Sequence, residues 1–447
     1  MKQYELRDPI HSRIPFDDED RTLIDHPFVQ RLRFISQLSF LQSYVYPGGV
    51  HDRFGHCLGA MHIATRLFGR LVGSSDELRK RFSEDEIEAL RRRVRWAGLL
   101  HDIGHGPFSH SSESVFPELS ELPLDSSWWK KTLPEPLPTS PLKGDEFSRQ
   151  AKHEDYSVLL VQTLADEGVL EREIAQDIAS LIHGQIKPSE SFKKFESKAP
   201  TLHKILKSLI SGEVDCDRMD YLLRDSYYCG VAYGNFDVDW LISSLGISEY
   251  NGQLILTLNE NGVRAFEDML LARYHMIDQV YFHKTEAGFV HYLQKAIEEG
   301  EIDLKIPTDP YLYADMRDAQ VIEMLFSAAK LEPNYWSSHL MQRIPAKRIL
   351  RLHDASPKDI ATLEKLKSMC NSAGVNWFTH SAKNQLSHFG EGGYEDEIIH
   401  VLKNTLNGAE FVPVLEYSDL LQKYNEKIRF TDFFVLREDF ERFKALS

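Results

Sequence analysis

The stretch RWAGLLHDIGHGPFSH, residues 95–110, sets His101, Asp102, His105 and His110 directly after an apolar run. An imidazole beside a carboxylate at the end of a buried helix costs free energy unless a cation or a hydrogen-bonding partner compensates it. The His-Asp dipeptide alone is weak evidence, since it occurs at His51-Asp52, His101-Asp102 and His353-Asp354. The last precedes Ala-Ser-Pro and reads as a surface turn. Only His101-Asp102 ends an apolar helix and runs into a Gly-His-Gly-Pro turn that can bring side chains together. A divalent cation needs several deprotonated oxygen or imidazole ligands converging from separate elements. Two other residues lie in comparable surroundings: His56, within RFGHCLGAMHIATRLFGRLV, and Asp217, within GEVDCDRMDYLLRDSYY. Together the four offer two imidazoles and two carboxylates and leave positions for water and a phosphate oxygen. A core polar cluster satisfied without metal is the competing reading.

The elements that must position these residues are mostly helical. SEDEIEALRRRVRWAGLLHD opens on a Ser83/Glu86 capping box, and its apolar stripe, Ile87, Leu90, Val94 and Ala97, continues onto His101. The segment carrying His56 is apolar on more than one face and belongs inside a bundle. IDHPFVQRLRFISQLSFLQ has Phe28, Leu32, Ile35 and Leu38 at helical spacing, and helical periodicity returns in HEDYSVLLVQTL, REIAQDIASLIHG, LHKILKSLISGEVDCDRMDYLLRDSYYCG and VRAFEDMLLARYHMIDQVYFHK. GISEYNGQLILTLNENG predicts a hairpin turning at Asn251-Gly252. Residues 114–150 hold six prolines and the adjacent Trp128 and Trp129, and read as an exposed surface insertion, with a lid or docking loop as the alternative. The tail beyond about 300 mixes helices with strand-like FVPVLEY and FTDFFVL.

The totals bound the classes. The 447 residues are 42% apolar, ample for a large core. Lys and Arg number 52 against 68 Asp and Glu, a net charge of −16 that argues against neutralising nucleic-acid phosphates. The four cysteines lie far apart with no Cys-x-x-Cys pair, and neither a signal core nor a run of transmembrane length is present. The expectation is a reduced, cytoplasmic protein without membrane or nucleic-acid partners.

A set of motifs in fixed order then identifies a resemblance: RDPIH (7–11), HPFVQRLRFISQL (26–38), YPGGVHDRFGHCLGA (46–60), HDIGHGPFSH (101–110), KHE (152–154), DCDRMDYLLRDSYYCG (215–230) and YFHK (281–284). The chain resembles the HD-domain phosphohydrolases, within them the deoxynucleoside triphosphate triphosphohydrolase branch that includes the SAM-and-HD-domain enzyme. The resemblance covers most of residues 5–290 and implies a mostly α fold. Its expected form is an HD-domain helical bundle over 1–300, then a smaller α+β region over 301–447. It implies His56, His101, Asp102 and Asp217 as ligands of a divalent ion (Mg²⁺, Mn²⁺, Co²⁺ or Fe²⁺). It implies His105, His110, Glu113 and His153 as the set that positions the attacking water and protonates the leaving oxygen. Arg53, Arg218 and Tyr221 match positions that hold the triphosphate, Asp225 a sugar contact, and Gln37 and Leu38 the region that reads base and ribose.

The implied reaction is hydrolysis of a purine nucleoside or deoxynucleoside triphosphate, or of a nucleotide analogue, releasing triphosphate or successive phosphates. Stepwise removal is the pattern of a relative in oxetanocin A (antibiotic) biosynthesis. A non-catalytic nucleotide sensor and an HD-superfamily phosphodiesterase or nuclease are the alternatives. The chain departs from the family at Gly55, where Glu is usual, at Ile277, where His is common, and at Arg218, where Lys is more usual. The family's allosteric members are homo-oligomers with an N-terminal nucleotide site. Here Tyr4 and Arg7 replace the expected Lys and Asn of that site, whereas Asp25, Gln30 and Arg33 match it.

Overall fold

The computed structural model describes residues 2–130, 149–353, 356–384, 399–406, 408–424 and 428–446. The fold is mostly α with small sheets. Seven helices carry the argument: α1 (Arg53–Ser74), α2 (Glu84–Leu100), α3 (His153–Asp166), α4 (Arg172–Ile182), α5 (Cys216–Cys229), α6 (Val263–Met276) and α7 (Lys284–Glu298). Helix α2 starts on the reciprocal Ser83/Glu86 capping box. Its Leu90, Val94 and Ala97 are buried, and the same stripe delivers His101 to the core. Helix α1 is buried on several faces, from Phe54 through Leu71, as an interior helix must be. Asp52 caps it by accepting from the Gly55 N–H.

The strands form three sheets: β1 (Gln3–Asp8) with β2 (Ser12–Asp17); β3 (Leu245–Tyr250), β4 (Gln253–Asn259), β7 (Ile399–Thr405) and β8 (Gly408–Pro413); and β5 (Lys347–His353), β9 (Ile428–Val435) and β6 (Trp377–Asn384). The hairpin turns at Asn251-Gly252, both at positive φ (51° and 75°), the geometry of a type I′ turn. Strand β7 runs parallel to β4, pairing Leu256 with Ile399, so packing is continuous across residue 300. Phe378, Val401 and Phe434 share one apolar core with the helices, while Cys370, Val375, Phe433, Val435 and Phe443 form a small core of their own. No described helix is long and apolar enough to cross a membrane.

Three sequence expectations change. Residues 24–42 are not one helix but hold Pro27–Gln30, a 3-10 turn Arg31–Phe34 and the start of Leu41–Tyr44, with Ile35 extended. Tertiary polar ties outweigh helical continuity here. The buried Arg31 donates to the carbonyls of His105 and Tyr313, and the Ser36 N–H donates to Asp318 Oδ2 at 2.8 Å. Phe28, Leu32, Ile35 and Leu38 are buried all the same. Trp128 and Trp129 are also buried rather than exposed, fixed by backbone bonds such as Lys187 N–H to the Trp128 carbonyl at 2.8 Å. The Pro-rich residues 131–148 and Asp354 lie outside the described residues. In FVPVLEY the strand ends at Pro413, which cannot donate to the ladder, and Val414–Tyr417 turns helical.

Candidate active site

His56 comes from the first turns of α1, His101 and Asp102 from the end of α2, and Asp217 from the first turn of α5. His56 Nε2 lies 3.3 Å from His101 Nε2, 3.0 Å from Asp217 Oδ1 and 3.5 Å from Asp102 Oδ2. His101 Nε2 lies 3.5 Å from Asp102 Oδ1 and 3.4 Å from Asp217 Oδ1. The other imidazole nitrogens are already committed. His56 Nδ1 donates to Asp220 Oδ2 at 2.8 Å, and His101 Nδ1 donates to the Gly98 carbonyl at 2.9 Å. Each Nε2 therefore points toward the same place as the carboxylate oxygens, and offers a lone pair there once its proton gives way to a cation. Two imidazole nitrogens and two carboxylates converging in this way hold positive charge between them, as protons or as a metal, so the donor set fits a divalent ion. His56, His101 and Asp102 alone already bring their ligand atoms within 4.8 Å of one another.

The charges are strongly interlocked. Burial pulls the His56 pKa down, but hydrogen bonds and charge from Asp217 and Asp220 push it up to about 10. Burial raises Asp102, yet His101, Arg53 and His105 hold it well below the ordinary carboxylate range. Asp217 is lowered in the same way by His101 and His56 against its own burial.

Behind the ligands stands a network that sequence reasoning did not single out. Asp220 accepts from His11 Nε2 at 2.6 Å, from His56 Nδ1 at 2.8 Å and from Arg224 Nε at 2.8 Å. Arg224 Nη1 reaches Asp8 Oδ2 at 2.9 Å. RDPIH thus contributes Asp8 and His11 to the support of His56 through Asp220, which lies 209 positions from His11 in the sequence. The Asp220–Arg224 pair at i, i+4 was the available signal. Gly59 makes the approach of Asp220 feasible, since a Cβ there would lie 1.8 Å from Asp220 Oδ1. Gly104 has the same function on the other side: a Cβ would lie 2.2 Å from the His153 carbonyl oxygen and from the Ser157 nitrogen. Ser157 stitches the contact by accepting from the Gly104 N–H and donating to the His101 carbonyl at 2.7 Å. Phe108 and Ser109 are held at positive φ (56° and 55°), a strained turn fixed in part by Phe108 N–H donating to Asp318 Oδ1 at 2.7 Å.

Of the four converging residues, Asp102 and Asp217 open onto a cavity of about 630 Å³ whose wall also includes Arg53, His105, His110 and His153. Gln37, Leu38, Tyr221 and Asp225 line it as well. Arg53 forms an ion pair with Asp102 and donates from Nε to Ser109 Oγ at 2.7 Å. His105 and His153 stack at 3.8 Å, with His110 edge-on to both. Glu113 sits behind them rather than in the wall and accepts from His153 Nδ1 at 2.6 Å and His110 Nδ1 at 3.0 Å. Its pKa, raised by burial, is driven far down by those two histidines. Arg218 also stands back from the wall, its Nη1 held by Glu213 at 2.9 Å. Asp225 has both oxygens engaged, by His51 Nε2 at 2.7 Å and by the Tyr281 hydroxyl at 2.6 Å. Tyr281 of the YFHK motif, Glu286 and His380 complete the wall, and no local sequence signal marks the last two.

The family model described as "HD domain" matches residues 53–225, and that described as "HD associated region" matches residues 236–369. The chain belongs to the HD-domain phosphohydrolase superfamily. HD domains bind divalent cations, and the His/Asp cluster can hold one. It is 28% identical over 426 residues to the uncharacterised protein YwfO of Bacillus subtilis, spanning 90% of this chain and 85% of that one. It is 29% identical over 295 residues to the human deoxynucleoside triphosphate triphosphohydrolase SAMHD1, but that match spans 63% of this chain and 42% of the human protein. A hypothetical protein from Aquifex aeolicus superposes over the whole of both chains with a TM-score of 0.72 at 25% identity. A phosphohydrolase from Bacteroides thetaiotaomicron shares the fold with a TM-score of 0.67 at 22% identity, over 98% of this chain and all of that one.

Proposed function

We propose that the chain is a metal-dependent hydrolase of purine nucleoside or deoxynucleoside 5′-triphosphates. The observation that carries this reading is the convergence of His56, His101, Asp102 and Asp217, with the two carboxylates facing a cavity with room for a nucleotide. Arg53 stands on the wall of that cavity. Similarity to SAMHD1 proteins supports the substrate class.

A divalent ion held by His56, His101, Asp102 and Asp217 supplies Lewis acidity and neutralises phosphate charge. The protein supplies the rest. Arg53, held in place by Asp102 and Ser109, presents a guanidinium to phosphate oxygens. His153 keeps a proton on Nδ1 for Glu113, which fixes the ring against His105 and leaves Nε2 as the nitrogen free to exchange a proton in the cavity. Glu113 also orients His110. Tyr221 and Asp225 form the side of the wall suited to the sugar, Asp225 being locked by His51 and Tyr281.

The test incubates the protein with dATP, ATP and dGTP in Mg²⁺, Mn²⁺ or Co²⁺ and identifies the phosphate product. Triphosphate indicates one-step cleavage at the sugar oxygen, and monophosphate with nucleoside diphosphate indicates stepwise removal. Bound metal with no turnover of any nucleotide refutes the reading. Asp102→Ala should remove metal content and turnover together; retained activity would equally refute it.

A further inference from the structure

The carboxy-terminal sheet delivers one polar side chain to the cavity, and the fold makes no use of it. Side chains alternate along β6, so Phe378 and His380 lie on one face and Trp377 and Thr379 on the other. Phe378 stacks on His291 of α7 at 3.8 Å and joins the main core, whereas Trp377 packs on the small core with Leu363 and Leu366. The face that seats Phe378 on α7 therefore carries His380 inward, and His380 lines the cavity together with Ala287 and Val290 of that helix. The neighbouring strands fix the sheet in this place. Arg351 Nη2 of β5 donates to the Phe282 carbonyl at 3.4 Å, and the Phe430 ring of β9 lies 5.1 Å from that of Phe282. Phe282 follows Tyr281 and lines the same cavity.

A structural histidine at this position would pair with Asp432, which stands directly opposite it on β9. Asp432 instead accepts from Arg351 Nε at 2.7 Å and Nη2 at 2.8 Å. Among the described residues neither ring nitrogen of His380 makes a hydrogen bond. Nδ1 is buried, so Nε2 is the nitrogen that this half-buried ring leaves open. A proton on Nδ1 would be a buried donor without an acceptor, a rare state in native folds, so the neutral ring is assigned its proton on Nε2. Burial lowers the pKa, with Asp432 opposing and Arg351 assisting, so the ring is neutral at pH 7. The cavity thereby gains an N–H donor that no protein atom accepts. The side of the cavity formed by α7 and β6 also presents Ala287, Val290 and Phe282, which suit the uncharged end of a nucleotide, whereas Arg53 and the metal ligands suit its phosphates.

We infer that His380 is a substrate-binding residue, donating from Nε2 to the nucleoside part of the nucleotide, so that the carboxy-terminal sheet completes an active site whose metal ligands all lie in the helical bundle. The inference rests on the nucleotide hydrolase reading above. Every nucleobase carries ring-nitrogen or carbonyl acceptors, so one N–H donor holds a base without selecting among bases. The contact is made equally before and during bond cleavage, because the base lies away from the reacting phosphorus. It therefore contributes to KM rather than to kcat.

The experiment measures kcat and KM for dATP and dGTP, and the inhibition constant of inorganic tripolyphosphate, at pH 7 with saturating Mn²⁺. It compares the wild type with His380→Ala and with His380→Phe, which keeps an aromatic ring in the same space but has no donor. Each variant should raise KM for both nucleotides by about threefold to tenfold, the loss of one hydrogen bond, with kcat within about twofold of wild type. Tripolyphosphate has phosphates and no nucleoside, so its inhibition constant should stay within about twofold of wild type. Nucleotide KM unmoved in both variants overturns the inference. So does a parallel rise of KM and of the tripolyphosphate constant, which marks a distorted cavity rather than a lost nucleoside contact. If His380→Ala melts early, the same two outcomes are read from His380→Phe alone. These results leave the hydrolase reading standing, whereas failure of the wild type to hydrolyse any nucleotide removes that reading and this inference with it.

Discussion

Asp220 is the residue whose replacement tests the site's supporting structure most sharply. Its carboxylate is fully buried and accepts from His11 Nε2 at 2.6 Å, His56 Nδ1 at 2.8 Å, and Arg224 Nε at 2.8 Å and Nη2 at 2.9 Å. Burial raises its pKa, but the charge of Arg224 and the bonds from His11 and His56 hold it well below the carboxylate range, so at pH 7 the charge contributes in full. Asp220→Asn preserves shape but removes that charge and turns one acceptor oxygen into a donor facing donors. Breaking a buried ion pair on one side costs about 3–5 kcal/mol. The loss of the carboxylate that orients His56 should also weaken metal binding by about 10–100-fold. Urea unfolding followed by tryptophan fluorescence, with metal and with chelator, measures the first effect, and calorimetric titration with Mn²⁺ measures the second. Stability within about 0.5 kcal/mol of wild type, or unchanged Mn²⁺ affinity, would refute the assignment of Asp220 as the positioning residue for His56.

Three further outcomes follow from the same structure. Gly104→Ala places a Cβ 2.2 Å from backbone atoms of α3, so it should destabilise by about 1–3 kcal/mol and slow turnover as His153 shifts; an unchanged melting curve would show that α3 yields freely. Asp155, buried but paired with His183 and Arg149, has its pKa lowered to about 2. A depressed carboxyl adds stability above its unfolded pKa and loses it as pH falls through the folded one. The stability gap between wild type and Asp155→Asn, about 2 kcal/mol from that shift, should therefore be full above pH 5 and close between about pH 4 and 2; a gap independent of pH in urea titrations would contradict it. Asp318→Ala frees the Ser36 and Phe108 N–H groups that it now joins. It should cost about 1–3 kcal/mol and raise KM as the Gln37 and Ser109 loops loosen, read by a melt and by steady-state kinetics; loss of stability with KM unmoved would confine Asp318 to the scaffold.

Much of this protein is written in local patterns. Capping residues, apolar periodicity and the Asn251-Gly252 turn act over one or two helical turns or a single hairpin, and helices α1 and α2, their caps and the type I′ hairpin follow them directly. Residue type and surroundings also make His56, His101, Asp102 and Asp217 candidates for a cation site, and the motif resemblance is what implies them as one ligand set. What the patterns do not contain is the identity of partners remote in the chain. His11 meets Asp220 across 209 positions, and Ser36 meets Asp318 across 282. The Ser36–Asp318 contact, with the Arg31 ties, breaks the 24–42 helix that periodicity alone predicts. The burial of Trp128 and Trp129, the withdrawal of Arg218 to Glu213, and the meeting of Glu286 and His380 in one cavity are likewise products of packing. The physical reason is range. Backbone propensity and amphipathicity are settled by neighbours a few residues away, whereas which polar atoms end up paired, and which face a cavity alone, depends on how distant elements share the space between them.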